Sequence, residues 1–244
     1  MASKAIDPIK ENYADWIKDS NTEFLPVYNE GIQDGVISKN ISYANWITSM
    51  NYGQMPEGNK IFTVKSIISG PGDSYDVRAG DILLTNNTDP GILGHVGIAT
   101  SSSYILDMPG KTNFPQASPD NNRHITVSKW IANYARDGKY VKVFRINNSS
   151  LANEVSTYAY HNFYSEGNSG DKNVHITYEI TPNLWSKSPS YCSKLVYQAY
   201  YYGSGSENVV VHEDGILSPY TLVSYDGPHP VFLPHFGLHF VVQY

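Results

Sequence analysis

A thiol, an imidazole and a carboxylate lie along this chain in an order that would let them meet in a folded cleft. Cys192 is the single cysteine in 244 residues, so it cannot form a disulfide within its own chain. Behind it, in CSKLVYQAYYYG, Leu195, Val196, Ala199 and Tyr200 follow at helical spacing, which puts the thiol in the first turn of a helix. Ser190, just after Pro189, is the expected N-cap. At that end of a helix the free amide N–H groups and the positive dipole favour thiolate over thiol, so the chemistry on offer is nucleophilic. The bland alternative is a buried, inert cysteine packed as a small hydrophobe.

A thiolate nucleophile needs a base, which need not be near it in sequence. Of eight histidines, His95 is the one inside a run that reads as paired strands, AGDILLT (79–85) followed by GHVGIAT (94–100). Alternation puts Val96 and Ile98 on one face and His95, Gly97 and Ala99 on the other, so small neighbours leave room beside the ring for a substrate or a facing helix. The next strand, in SSYILDMPG, carries Asp107. A short antiparallel turn would set Asp107 beside His95, where a carboxylate can hold the imidazole tautomer. A core histidine and a strand-end aspartate making a local turn bond are the ordinary alternatives.

The segments GDILLT, GHVGIAT, ILDMPG and YCSKLVY, in that order, resemble the circularly permuted branch of the NlpC-type papain-like amidohydrolases, the YiiX-like proteins. The resemblance covers about residues 60 to 230. Ordinary NlpC-type peptidases have the cysteine helix first and the histidine strand later; the permuted branch and the lecithin:retinol acyltransferase relatives reverse this. Geometry, not chain order, defines such a constellation. The resemblance implies an α+β, permuted papain-like fold, an antiparallel sheet or partial barrel packed against the nucleophile helix. It implies Cys192 as nucleophile, His95 as base and Asp107 as the polar third member, where many YiiX-like chains have Glu. It also implies a tyrosine hydroxyl near the oxyanion, for which Tyr178 in VHITYEI and Tyr191 beside the nucleophile are the candidates, Tyr178 preferred.

The implied reaction is acyl transfer through a thioester, with no metal and no cofactor. A cysteine amidase or peptidase acting on a cell-wall peptide or related amide is the first expectation. A lipid or ester acyl hydrolase or acyltransferase of the same fold is the second, and a noncatalytic module holding peptide, glycan or lipid in the same cleft is the third. Peptidoglycan, another small peptide, an amide and an acyl ester all remain open as substrates.

Composition sets outer bounds. With 41% hydrophobic residues the chain can bury a large core. A net charge of −6 weighs against a nucleic-acid partner, which needs a basic footprint. No apolar run approaches the roughly 20 residues of a membrane span, and the charged-then-apolar pattern of a signal peptide is missing from the start. Low charge (16%) with abundant Asn, Ser, Thr and Tyr resembles exported bacterial proteins. The expected location is therefore exported or on a bacterial cell surface, with the cytoplasm as the alternative.

The elements around these residues divide into an N-terminal helical extension or lid (1–58) and a catalytic domain (59–244). The extension is expected to hold a helix capped at Asp7-Pro8 and carrying Ile9, Tyr13, Trp16 and Ile17, a second over Thr22 to Gly31, and a third with Tyr43, Trp46, Ile47 and Met50. Asn51 to Lys60 reads as a loop and IFTVKSII as the first strand. After Asp107 come a long polar loop whose Arg123 and His124 could meet a substrate carboxylate or phosphate, a helix over Ser128 to Arg136, the strand KYVKVFRI and a helix from Ser150 to Phe163. In the tail, His229, His235 and His239 invite a zinc reading, but two prolines interrupt the run and no Cys or Glu completes a tetrahedral set. FGLHFVVQY reads instead as an edge strand.

Overall fold

The computed structural model describes residues 13–53, 75–89, 91–110, 119–167, 169–205, 207–225 and 230–244. The N-terminal part is helical: α1 (Tyr13–Asp19) runs through one π-type turn (Ser20–Phe24) into α2 (Leu25–Gln33), and α3 (Tyr43–Ser49) follows, capped by the Ser42 side chain on the Asn45 amide. The second helix thus starts three residues after the expected Thr22, because Ser20–Phe24 takes the wider turn. The strand expected at IFTVKSII and the cap at Asp7-Pro8 lie outside the described residues.

Six strands form one open antiparallel sheet in the order β4-β3-β2-β1-β5-β6. They are β1 (Ile82–Asp89), β2 (Ile92–Ala99), β3 (Tyr104–Asp107), β4 (Arg123–Thr126), β5 (Val141–Arg145) and β6 (His239–Gln243). Arg123 and His124, expected in a polar loop, instead form the start of an edge strand whose register pairs Asp107 with Arg123. The tail closes the other edge, with His239 opposite Arg145. The fold class is therefore α+β.

Period-two alternation sorts the strand residues onto two packed faces. Ile82, Leu84, Val96, Ile98, Leu106 and Phe144 join one cluster with α5 (Ser149–Phe163) and α6 (Cys192–Gly203). Leu83, Ala99, Ile105, Val141 and Val143 join another with Val127, Trp130, Ile131 and Tyr134 of α4 (Val127–Tyr134). Both faces being covered explains why all eight residues of β2 are buried, His95 included.

The N-terminal helices share the first of these cores. Phe24, Ile37, Trp46 and Met50 are buried among the same residues as Cys192 and Leu195. The Trp46 indole donates to the Gly91 carbonyl at 2.7 Å, and Ile37 bridges Ile180 in parallel. A short helix, α7 (Pro219–Leu222), packs against β2 and α6.

Candidate active site

Cys192 is the first residue of α6, as the helical spacing predicts, but the cap is not Ser190. Tyr191 occupies the N-cap position with extended backbone (φ −148°, ψ 170°) and supplies no side-chain hydrogen bond. Ser190 is one residue too early to reach the first-turn amides. The start of α6 thus keeps backbone donors that no side chain caps, inside a buried region. Such an end is costly unless something electron-rich comes to it.

His95 is aimed by two irregularities in β2. Between the pairs Thr85↔His95 and Thr88↔Leu93, β1 has one residue more than β2, a bulge that falls opposite Gly94. Gly94 adopts φ +76°, a conformation that favours glycine. Bulges bend a strand and redirect the neighbouring side chain, here the imidazole. Two residues on, Gly97 pairs with Asp107 across β2 and β3. A Cβ at Gly97 would sit 2.7 Å from the Ile105 side chain and 3.2 Å from Asp107 Cβ, so only glycine lets the carboxylate lean toward the ring.

It does so at 2.9 Å, from His95 Nε2 to Asp107 Oδ2. Cys192 also lies close enough to the ring to raise its basicity, and with Nε2 held by the carboxylate the nitrogen left to face the sulfur is Nδ1. Three residues separated by up to 97 positions thus form one line of contacts, each about 1% exposed.

Asp107 is saturated by partners on β4 and α4. Arg123 grips it with a two-pronged fork, Nε to Oδ1 at 2.9 Å and Nη2 to Oδ2 at 2.7 Å, and the Trp130 indole donates at 2.9 Å. Tyr134 accepts from Arg123 Nη2 at 3.1 Å, and both aromatic rings lie against His95, with centroids 5.8 Å and 5.0 Å away. The space beside the imidazole is therefore filled by α4, which settles the choice between substrate and facing helix on that side. Arg123 serves the carboxylate instead of meeting a substrate anion. His124 points elsewhere, bonded to Thr100 Oγ1 at 2.7 Å and stacked on Tyr104.

The charges follow from these contacts. Burial opposes a charge on His95, but the hydrogen bond to Asp107 and the neighbouring Cys192 push it up to about 10. Burial would raise Asp107, yet bonds from His95 and Arg123 hold it below the usual carboxylate range. The arrangement favours the imidazolium form of His95, set between the Asp107 carboxylate and the sulfur of Cys192.

Signals for the supporting residues were faint in sequence. Trp130 and Tyr134 are four apart on a helix, a spacing that usually marks plain core. Lys194 gives no hint at all: its ammonium bonds Pro189 O and Ser186 Oγ, each at 2.8 Å, and burial pushes it down to about 8, with Glu179 opposing. Gln198, one turn further, donates to the Ser186 carbonyl at 3.0 Å. Together they fasten the segment that leads into Cys192. Tyr191 accepts from the Leu217 amide at 3.0 Å and Tyr178 bridges Ser190, so both flank the cysteine through buried structure. In the tail, His235 packs on Phe236 and His239 bonds Gly237 O, while His229 lies outside the described residues.

A family described as "Lipoprotein N-acylation protein LnsA-like" matches residues 37–230. An "uncharacterized 30.3 kDa protein" of Bacillus thuringiensis is 40% identical over 219 residues, covering 89% of this chain and 78% of that protein. No solved structure matches the chain. Among the described residues no helix is long and apolar enough to cross a membrane.

Proposed function

We propose that this chain, which belongs to the family of LnsA-like lipoprotein N-acylation proteins, is a cysteine acyltransferase that moves an acyl group from a lipid ester to an amine through a thioester on Cys192. The observation that carries the reading is the buried line Cys192–His95–Asp107 with its fork to Arg123. Amide hydrolysis, the first expectation, would use the same thioester. Family membership favours making the bond to nitrogen over breaking it. The permuted papain-like, NlpC-type fold and a site facing the bacterial envelope belong to the same proposal.

In the first half-reaction the sulfur adds to the ester carbonyl and the C=O electron pair moves to oxygen. Collapse restores the carbonyl and expels the alkoxide, which takes the proton from His95 Nδ1. In the second, an amine attacks the thioester, His95 receives the amine proton, and the thiolate departs. A positioned base supplies roughly 10²- to 10⁴-fold. The amides at the start of α6, which no side chain caps, would donate to the oxyanion. Near-complete burial of Cys192 and His95 supports transfer over hydrolysis, because a thioester kept from bulk water waits for the better nucleophile.

Incubation with mixed micelles of a diacyl phospholipid should leave one acyl chain on the protein, labile to hydroxylamine and absent in Cys192→Ala. Adding a lipopeptide with a free amino terminus should discharge it as an amide, both steps followed by mass spectrometry. Release of free fatty acid alone would move the assignment to a hydrolase. Cleavage of a stem peptide, with no adduct from the ester, would restore the amidase reading.

A further inference from the structure

The hydroxyl of Ser190 is fully buried and has no hydrogen-bond partner among the described residues. A buried polar group left unmade is unfavourable, and folded proteins keep few of them without a reason. Nor is this hydroxyl on a segment free to adjust. The Ser190 amide donates to Thr177 O at 2.9 Å, its carbonyl accepts from the Glu179 amide at 3.0 Å, and Lys194 holds the preceding carbonyl of Pro189 at 2.8 Å. The backbone is clamped on both sides while the side chain is left open.

Its direction follows from the residue that separates it from the nucleophile. Tyr191 is extended, so the side chains of Ser190 and Cys192 leave the chain on the same side and that of Tyr191 on the other. Two residues of extended chain set their Cα atoms about 7 Å apart. The hydroxyl therefore leaves the chain on the side from which the sulfur would carry an acyl group. The sequence suggests Ser190 as the helix cap; the structure removes that role and leaves its donor without an acceptor.

We infer that the Ser190 hydroxyl donates a hydrogen bond to the acyl carbonyl oxygen as it becomes an oxyanion on Cys192, which makes Ser190 a further catalytic residue of this site. The inference rests on the acyl-transfer reading above. The bond is absent before substrate arrives and forms against the developing charge, so it lowers the barrier without tightening ground-state binding.

Two reactions of the same sulfur separate this role from a structural one. Acylation by p-nitrophenyl butyrate passes through an oxyanion; alkylation by iodoacetamide displaces iodide and does not. Ser190→Ala should acylate about 10²- to 10³-fold more slowly, the effect of removing one oxyanion donor. It should alkylate at the wild-type rate and melt at or above the wild-type temperature, since it removes an unsatisfied hydroxyl. Acylation at the wild-type rate would overturn the inference. A matched fall in both reactions would also overturn it, by showing that Ser190 only positions the thiol. If the wild type alkylates but gives no p-nitrophenolate burst, the acyl-transfer reading itself fails and the inference with it.

Discussion

The sheet contains two buried aspartate–arginine forks of almost the same geometry, and only one of them belongs to the candidate site. At the entry to β1, Arg145 binds Asp81 with Nε to Oδ1 and Nη2 to Oδ2 both at 2.7 Å. At the end of β3, Arg123 binds Asp107 at 2.9 and 2.7 Å. Yet burial raises Asp81 despite its arginine, with Asp76 adding repulsion, whereas Asp107 is held below the ordinary range. The difference lies in the added partner. Asp81 shares its arginine with a second carboxylate, while Asp107 also receives His95 and the Trp130 indole. A fork alone is scaffold; a fork that also holds an imidazole against a thiol can do chemistry.

Amide substitution should separate the two most strongly. Asp107→Asn is expected to slow thioester formation by up to about 10⁴-fold, by leaving the imidazole without its orienting charge. Asp81→Asn should acylate at close to the wild-type rate. Asp107→Asn leaves the half-buried Arg123 without its countercharge and should lose about 3 kcal/mol in urea unfolding, whereas Arg145 keeps Asp76, so Asp81→Asn should lose less. Equal rate losses in both variants would erase the distinction.

Next in size is the coupling between the thiol and the ring. Cys192→Ala removes one of the two negative partners of His95, so its imidazole should titrate well below about 10, as read by NMR. In the wild type the raised value makes the pair's contribution complete below the unfolded histidine value near 6.5 and lost as pH climbs toward 10. If the titration does not move in Cys192→Ala, the ring and the sulfur are not coupled.

His95 and His124, on β2 and β4, should also respond to acid in opposite ways. His124 has a hydroxyl and aromatic rings for company, and burial alone pushes it down to about 4. A lowered value means the contribution is present above about 6.5 and disappears as pH falls toward 4. His124→Gln should therefore flatten the loss of stability between those limits in thermal melts. An unchanged acid slope would show that His124 is already protonated in the fold.

The smallest expected effect is that of Tyr134→Phe, which removes one hydrogen bond to Arg123 and should lower stability by about 1 kcal/mol. Its thioester rate should stay within a few-fold of the wild type. A large rate loss would extend the working part of the fork into α4.

Much of this was legible in the chain because it depends on local periodicity. The helix at Cys192 follows from the spacing of Leu195, Val196, Ala199 and Tyr200, and the β2–β3 pairing from two apolar runs joined by a short turn. Ser190 misled because a residue's eligibility to cap says nothing of where the extended chain ends, and Tyr191 moved that boundary by one. Arg123 misled for a different reason. A polar stretch between strands reads as solvated loop, and only the pairing of β4 with β3 turns its arginine inward onto Asp107.

Residue types and spacings alone determined the thiol's place in its helix, the histidine strand and a carboxylate on the next strand near the ring. These are short-range matters, governed by torsional preference and by which side of a strand or helix is apolar. Tertiary structure decided what the same residues are worth: which aspartate gains a histidine, which arginine faces inward, and that a serine two positions before the sulfur is buried with its donor unspent. Those outcomes depend on distances between segments that meet only after folding, where burial multiplies both the attraction of a made contact and the penalty of a missing one.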